Sequence, residues 1–383
     1  MTTPLPPTPA SPARFVRRVL FKAALLFVAL NLLFVAASPM PLLGRLTLYN
    51  TVLPGRLRLP YGTDPAKAYN LSLYNLEAMF ASQALARPKS AGEYRVLLVG
   101  DSSVWGYLLP AHQTLAAQLN DLHLTTADGR RVVAYNLGYP ILSLTKDLLL
   151  LSRLAVYDPD QIVWLITLES FPPDKQLFPP LVQNNAPAVR GLIAQYALSL
   201  NPHDPQLVNP SLWDRTLIGQ RRPLADLLRL QLYGFLWAAT GIDQDLPADY
   251  PPRAEDLAAD ESFHGLTPPH TLTTTDLAFD VLAAGVQAAG DTPLLLVNEP
   301  MFVSAGQNSD LRYNFFYPRW AYDAYRVLLA QAADAHAWRY LDLWDAVANT
   351  EYTDSPIHLT PLGESQLAAR LGSAVLAVAA DQP

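Results

Sequence analysis

The chain has 383 residues, with 27 Lys and Arg against 34 Asp and Glu, and a formal net charge of -7 at pH 7. This length is sufficient for a full α/β core with additional structure, and the acidic balance argues against nucleic acid as a partner. Cysteine is absent, which excludes disulfides, thiolate metal sites and a cysteine nucleophile. The 34 prolines, concentrated in the N-terminal tail and the middle of the chain, predict long irregular connections there.

An apolar run near the N-terminus, residues 19–37, follows Arg14, Arg17 and Arg18. About 20 helical residues span the hydrocarbon core of a bilayer, so the run predicts a single transmembrane anchor. The flanking arginines predict that the tail stays in the cytoplasm and that everything after the helix is extracytoplasmic. A cleaved signal peptide ending near residues 35–37 and a buried soluble helix are the alternatives, and the run exceeds the usual signal core of about 7–15 residues.

Sequence patterns divide the chain into segments with different predicted structures. Residues 1–18 are predicted to be the cytoplasmic tail, residues 19–38 the anchor, and residues 39–92 a stalk with a helical stretch near 73–86. Short continuous apolar runs then predict strands that are buried on both faces of a parallel sheet, at residues 94–99, 131–136, 161–167, 293–298 and 339–343. Helical patterns separate most of them, at residues 113–122, 143–157, 276–289, 320–337 and 361–380. The alternation predicts a three-layer, flavodoxin-like α/β fold with a five-stranded parallel sheet.

A long insertion interrupts this alternation. Residues 93–170 and 276–383 are predicted to form the catalytic domain, whereas residues 171–275 are too long for a plain loop and form an insertion or cap. Within it, residues 224–240 are apolar around most of a helical circumference. That pattern is typical of a core helix in a cap, or of a helix resting on a membrane surface.

The motif Gly-Asp-Ser-Ser-Val-Trp-Gly at residues 100–106 follows the first core strand directly. A serine on a sharp strand-to-helix turn projects its hydroxyl above the sheet edge, where backbone N–H groups can stabilise an oxyanion. Asp and Ser are also ordinary helix N-caps, so a capped turn is the alternative interpretation. Its position at the carboxyl end of a parallel strand favours Ser102 as a nucleophile.

An alcohol nucleophile needs a base, and the base needs an acid to orient it. His358 lies between the last predicted strand and the last predicted helix, and therefore also at the carboxyl edge of the sheet. Asp354 is the nearest acid able to bond its second ring nitrogen. The remaining histidines are interpreted as surface loop residues: His112, His123, His203, His264, His270 and His336.

These motifs resemble the GDSL (SGNH) hydrolase family over residues 94–167 and 293–380. The resemblance implies that Ser102 is the block I serine and His358 the block V histidine. It also implies that Gly138, as the block II glycine, donates a backbone N–H to the oxyanion together with the N–H of Ser102. No metal and no organic cofactor is implied.

The chain departs from the family pattern in two places. The block V acid normally stands three residues before the histidine, but here Ser355 holds that position and Asp354 lies one residue earlier, which leaves Asp342 or Asp345 as alternative acids. The block III motif, usually Gly-x-Asn-Asp, aligns with residues 167–170, which read Thr-Leu-Glu-Ser. The oxyanion-hole asparagine is therefore missing, and loss of one such donor typically costs about 10²–10³ in rate.

A replacement donor is predicted at the end of the fourth core strand, where Asn298 and Glu299 stand. Asn298 would supply an amide donor to the oxyanion hole. Glu299 or Glu169 would bind a substrate hydroxyl or act as the acid of the triad. The alternative interpretation is a polar strand end beside an aromatic core patch, formed by the tyrosines and phenylalanines of residues 313–317.

The sequence thus predicts a membrane-anchored, extracytoplasmic serine esterase or deacylase acting on acyl esters, with acetylated carbohydrate of the cell envelope as a substrate class. A polysaccharide O-acetyltransferase differs only in the acceptor of the acyl group. A catalytically impaired glycan-binding protein is the alternative from another class, and it is motivated by the missing asparagine.

Overall fold

A single parallel sheet of five strands organises the chain in the computed structural model, which describes residues 12–53, 55–62, 75–244 and 246–382. The strands are β1 (Glu93–Gly100), β2 (Arg131–Gly138), β3 (Gln161–Ile166), β4 (Leu294–Asn298) and β5 (Arg339–Asp342). Their spatial order is β2-β1-β3-β4-β5, and every neighbouring pair is parallel. This is the flavodoxin-like order, so the predicted fold class is confirmed.

The helices of the described residues lie before, between and after these strands. They are α1 (Pro12–Ala37), α2 (Met40–Gly44), α3 (Leu48–Val52), α4 (Leu76–Ala81), α5 (Ser102–Trp105), α6 (Leu115–Asp121), α7 (Leu144–Leu151), α8 (Pro180–Gln183), α9 (Ala186–Tyr196), α10 (Arg221–Thr240), α11 (Phe279–Ala288), α12 (Arg319–His336) and α13 (Pro361–Ala380). The predicted helix at 143–157 is shorter in the structure, because α7 ends at Leu151 and a 3-10 turn follows. That turn stops at Asp158, which precedes a proline and has a φ of 51°.

Both faces of the sheet are covered, which explains why its central strands read as continuous apolar runs. Every residue of β1, β3 and β4 is buried. Side chains alternate between the faces: Leu97 and Trp164 join the core under α7, α11 and α12, whereas Leu98 and Val163 join the core under α6 and α13. The carboxyl ends of the strands therefore remain open as the edge where a site can form.

The N-terminal helix α1 is the one helix in the described part of the chain that is long and apolar enough to cross a membrane. Its best 18-residue window has a mean hydropathy of 2.4, and only 11% of that window is buried against the rest of the protein. Signal sequences and membrane spans share these properties. The division of the chain into tail, anchor, stalk, catalytic domain and insertion stays a prediction.

A buried arginine connects the residues after α1 with the insertion and with α5. Arg58 is fully buried, and its guanidinium makes two 2.6 Å contacts to the carboxylate of Asp243. It also donates to the carbonyl oxygens of Trp105, Gly106 and Leu109, at 2.9–3.1 Å. One side chain thus satisfies the carbonyls at the end of α5 and neutralises an acid that follows α10.

We expect Arg58→Met to lower the free energy of unfolding by about 3–5 kcal/mol, because it leaves the Asp243 carboxylate buried without its partner. Chemical denaturation of the full chain measures the change. The double variant Arg58→Met/Asp243→Asn should be more stable than the single variant, since it removes the uncompensated charge. Equal stability of wild type and Arg58→Met would contradict the assignment.

Candidate active site

The turn between β1 and α5 presents Ser102 at the carboxyl edge of the sheet. β1 ends at Gly100, and Asp101 caps α5 by accepting the N–H of Ser103 at 2.8 Å. Ser102 is the first residue of α5 and is partly exposed. Gly100 is required because a Cβ there would come within 2.6 Å of the Val104 side chain. The predicted strand-to-helix turn is therefore present, with its serine at the first helical position.

His358 reaches Ser102 from the loop between β5 and α13. Its Nε2 lies 2.8 Å from the Oγ of Ser102, and its Nδ1 lies 2.8 Å from Oδ1 of Asp354. The loop is closed on itself, because Thr353 donates its N–H to the carbonyl of His358 at 2.9 Å. In addition, the carbonyl of Pro356 accepts a hydrogen bond from the N–H of Phe302 at 2.7 Å. The structure thus brings together three side chains that were singled out from opposite ends of the sequence.

Asp354 fixes the orientation and the tautomer of the His358 ring. Burial acts to raise the pKa of Asp354, but the hydrogen bond and charge of His358, with a further hydrogen bond from Thr353, outweigh it and hold that pKa below its ordinary value. An ionised carboxylate can only accept, so Nδ1 of His358 carries the proton. Nε2 then presents its lone pair to the hydroxyl of Ser102.

Tyr107 is a site residue that the sequence analysis missed. Its ring centroid lies 4.9 Å from that of His358, with 36° between the ring planes, and 38% of the residue is exposed. It follows α5 directly, where the backbone turns through Gly106 at a φ of 82°. Its position beside the GDS motif was the available signal, but a short loop of this kind does not show in sequence which way a side chain points.

The assignment of Gly138 to the oxyanion hole stays a prediction, and the structure shows its N–H engaged within the fold. Its N–H donates to Oδ1 of Asn136 at 3.0 Å, so in this structure that donor is already occupied. The need for glycine has another cause. A Cβ at Gly138 would come within 2.3 Å of the backbone nitrogen of Trp105, because the end of β2 packs directly against α5. Gly138 therefore permits close approach of the turn that carries Ser102.

The prediction that Asn298 replaces the missing oxyanion donor is wrong. Asn298 is fully buried, and its amide nitrogen donates to Oδ1 of Asp342 at 2.8 Å and to the hydroxyl of Tyr322 at 3.2 Å. Its amide oxygen accepts from the hydroxyl of Tyr325 at 3.2 Å. Asn298 thus packs among the tyrosines of α12, on the side of the sheet away from the His358 loop.

The two glutamates proposed for substrate binding are also used within the fold. Glu299 is 1% exposed and accepts a hydrogen bond from the Oγ of Ser103 at 2.5 Å. Its burial, together with the nearby Asp101 carboxylate, raises the pKa of Glu299 well above the ordinary value. Glu169 is 6% exposed and contacts Lys175 at 3.1 Å and His264 at 3.3 Å. Neither carboxyl is available to a substrate hydroxyl or bonds to His358.

The alternative triad acids are likewise separate from the imidazole. Asp342 forms an ion pair with Arg326 at 2.7 Å, in addition to its bond from Asn298. Asp345 is exposed on the surface. Among the acids considered from sequence, Asp354 is the one that forms a hydrogen bond with His358 in the structure.

His264 is an exposed loop residue, as predicted, but its ring is paired with two carboxylates. Nε2 faces Glu169, and Nδ1 lies 3.1 Å from Asp174, so the ring bonds the insertion to the end of β3. The hydrogen bond to Glu169 is the main cause of a raised pKa for His264, with burial opposing it and the charges of both acids adding to it. The pair is visible only in three dimensions, since 95 residues separate its members.

We expect this pair to make stability pH-dependent. A raised pKa means that the stabilisation is fully present below the unfolded value of about 6.5 and is lost as the pH rises through the folded pKa. Solvent screening limits the effect to less than about 1 kcal/mol. Between pH 6 and 8.5 the wild type should therefore lose more stability in urea denaturation than His264→Gln. The control variant His112→Gln, which replaces an exposed histidine, should lose as much stability over this pH range as the wild type.

A buried cation lies beneath the nucleophile turn. Lys146 of α7 is fully buried and donates to the carbonyl oxygens of Gly100 and Tyr139, both at 2.7 Å, while its ammonium contacts Asp147 at 2.7 Å. Burial raises the pKa of Asp147 to about 6, with Lys146 acting against the shift. The Lys146 ammonium thus links the carboxyl ends of β1 and β2, next to the turn that carries Ser102.

The described residues contain no cluster of three or more histidine, aspartate or glutamate side chains arranged to hold a metal ion.

Comparison with known proteins gives similar structures at low identity. No known family and no curated protein matches the sequence. A carbohydrate acetylesterase family member from Sinorhizobium meliloti is 14% identical, with 75% of this chain and 99% of that chain covered and a TM-score of 0.32. A lipase/acylhydrolase from Enterococcus faecalis is 12% identical, with 74% and 95% covered and a TM-score of 0.37.

A putative lipolytic protein of the G-D-S-L family from Desulfitobacterium hafniense is 10% identical, with 73% of this chain and 98% of that chain covered and a TM-score of 0.29. At these scores the fold class rests on the strand order and register of the sheet itself. The chain is thus a three-layer α/β protein with Ser102, His358 and Asp354 in hydrogen-bonded series at the carboxyl edge of its sheet.

Proposed function

We propose that this chain is a serine esterase or deacylase of the GDSL (SGNH) type. The observation that carries the proposal is the series Ser102 Oγ, His358 Nε2, His358 Nδ1 and Asp354 Oδ1, in which both contacts measure 2.8 Å. A hydroxyl, a base and an orienting acid in this order are the arrangement that activates a weak alcohol nucleophile.

The reaction follows from the same contacts. Ser102 Oγ attacks the ester carbonyl while Nε2 of His358 takes its proton, and the Asp354 carboxylate stabilises the imidazolium that forms. Collapse of the tetrahedral intermediate breaks the ester bond, and His358 returns the proton to the leaving alcohol. Water then attacks the acyl-enzyme with His358 again as the base, which releases the acid and restores Ser102.

The oxyanion needs donors, and the backbone N–H of Ser102 is the candidate that remains. It belongs to the first turn of α5, where N–H groups have no partner within the helix. The N–H of Gly138 and the amide of Asn298 are both engaged elsewhere. We infer an oxyanion site with few donors, and a correspondingly modest turnover number.

A fluorophosphonate probe tests the assignment directly, because it forms a covalent bond only with an activated serine. We expect the full chain, purified in detergent, to be labelled, and mass spectrometry to place the label on the peptide that contains Ser102. A chain that remains unlabelled, or a label on another serine, would refute the proposed nucleophile. A glycan-binding protein without catalysis would give the unlabelled result.

We further propose that α1 anchors the chain and that the site is extracytoplasmic, with acyl esters of envelope glycans as the substrate class. The arginines before the apolar run support this orientation. The cysteine-free sequence makes it testable, since a single cysteine at exposed Val327 can be labelled in intact cells by a membrane-impermeant maleimide. Labelling only after cell lysis would contradict export.

Hydrolysis and transfer are separated by following the acyl group. With an acetyl-labelled ester and a polysaccharide acceptor present, an esterase releases the label as acetate. An O-acetyltransferase places the label on the polysaccharide, through the same Ser102 acyl-enzyme. We expect acetate.

A further inference from the structure

We propose that α10, the loop before it and the short helices α2 and α3 form a single apolar surface that enters the extracytoplasmic leaflet of a lipid bilayer. The inference rests on the proposed anchoring by α1 and goes beyond it, because it places a second part of the chain in lipid. We call this region the lipid-facing surface. It is defined by Leu42, Leu46, Leu48, Val52, Leu212, Trp213, Leu228, Leu232 and Leu236.

The helix α10 is apolar on two opposite sides. Leu227, Leu230 and Gly234 are buried against the protein. Leu228, Leu232 and Leu236, spaced four residues apart, lie on the other side and are 58–71% exposed. A helix on the surface of a water-soluble domain normally presents polar residues on its outer side. The outer side of α10 instead presents a stripe of leucine.

The same apolar surface continues into the residues that follow α1. Leu46, Leu48 and Val52 are 59–73% exposed. The side chain of Gln231 on α10 fixes this segment, since it donates to the carbonyl of Leu46 at 2.9 Å and accepts the N–H of Leu48 at 2.7 Å. The exposed leucines of α10 are therefore joined to a segment that begins within a few residues of the end of α1.

A contact with α1 sets the depth of the surface. The N–H of Ile218 donates to Oδ1 of Asn31 at 3.3 Å, and Asn31 is 8% exposed. Asn31 precedes the end of α1 by six residues, or roughly 9 Å along the helix axis at about 1.5 Å per residue. The loop before α10, with exposed Leu212 and Trp213, thus contacts α1 below its outer end. Interfacial helices bury their apolar face to a similar depth of about 5–10 Å.

The basic and aromatic side chains next to the lipid-facing surface also favour lipid as its partner. Arg215 and Arg221 are exposed at the N-terminal end of α10, where they can pair with anionic headgroups. Trp213 has the amphipathic ring that is enriched at membrane interfaces. A protein partner would have to cover the same surface beside a helix that is itself in the bilayer, whereas lipid is already there.

Spin labels at single introduced cysteines test the inference in the full chain. The variants are Leu232→Cys and Leu48→Cys in the lipid-facing surface, Leu26→Cys in α1, and Val327→Cys on α12 as the water-exposed control. Each is reconstituted in vesicles of equal parts phosphatidylcholine and phosphatidylglycerol. Collision with oxygen, which concentrates in lipid, is compared with collision with a water-soluble nickel complex.

We expect labels at 232 and 48 to collide preferentially with oxygen, as at 26, and the label at 327 to collide preferentially with nickel. Labels at 232 or 48 that behave like 327, while 26 lies in lipid, would overturn the inference and leave the anchor intact. A label at 26 that is open to nickel would refute the anchor, and the inference with it. None of these outcomes depends on esterase activity, so a failure of the proposed chemistry is recognised separately.

Discussion

Replacing Ser102 by alanine should lower kcat/KM for p-nitrophenyl acetate by about 10³–10⁶-fold, the range seen when a nucleophile of this kind is removed. The 2.8 Å contact from His358 Nε2 would then end on a methyl group, and no acyl-enzyme can form. Burst and steady-state hydrolysis by the full chain measure the loss. The expected residual rate is that of solvent attack on a bound ester.

The serine Ser373 provides a matched control. It is exposed on α13, where its hydroxyl bonds the carbonyl of Ala369 in the same helix, and Ser373→Ala should hydrolyse the ester at the wild-type rate. Equal rates for wild type and Ser102→Ala would remove both catalytic interpretations, hydrolysis and transfer. A glycan-binding protein would then be the interpretation that remains.

The variant Asp354→Asn should lower kcat by about 10³–10⁴-fold, as the equivalent change does in other triads. The lowered pKa of Asp354 keeps its carboxylate ionised across the neutral range, where it accepts the proton of His358 Nδ1 and stabilises the imidazolium. An asparagine can instead donate to Nδ1, which favours the tautomer that carries its proton on Nε2. His358 then faces Ser102 with a proton and cannot act as a base.

Asp342→Asn separates this role from a general effect of removing an acid near the sheet edge. Asp342 pairs with Arg326 and Asn298, so its variant should lose stability and keep most of its kcat. The reverse ranking, with Asp342→Asn inactive and Asp354→Asn active, would reassign the acid of the triad.

The sheet was predictable because both of its faces are covered. Strands such as β3 are buried at every residue, so the apolar run marks them without any need for alternation. The triad was predictable for a related reason. The carboxyl ends of parallel strands meet at one edge, so two motifs that each follow a strand must lie near one another, even with 256 residues between Ser102 and His358.

The supporting residues were not predictable, because strand-end position does not determine the direction of a side chain. Asn298 ends β4 as expected, but in the sheet it lies opposite Asp342, and both point toward the tyrosines and Arg326 of α12. Glu299 is the next residue and points to the other side, where Ser103 donates to it. Because successive residues of a strand point to opposite faces of the sheet, the neighbouring residues Asn298 and Glu299 have different partners.

The cations that organise the turn were missed for a different reason. Lys146 and Arg58 act on carbonyl oxygens, and a carbonyl oxygen carries no signature in a sequence. Both side chains are fully buried, although lysine and arginine are usually assigned to the surface. Their contacts join segments distant in the chain, which only the folded structure shows.

The distance along the chain between nucleophile and base also determines when activity can arise. During synthesis, Ser102 emerges from the ribosome long before the loop that contains Asp354 and His358. Until that loop has docked on α5, the serine is an ordinary alcohol. The site can therefore form only after the chain has been made through His358 and that loop has folded against α5.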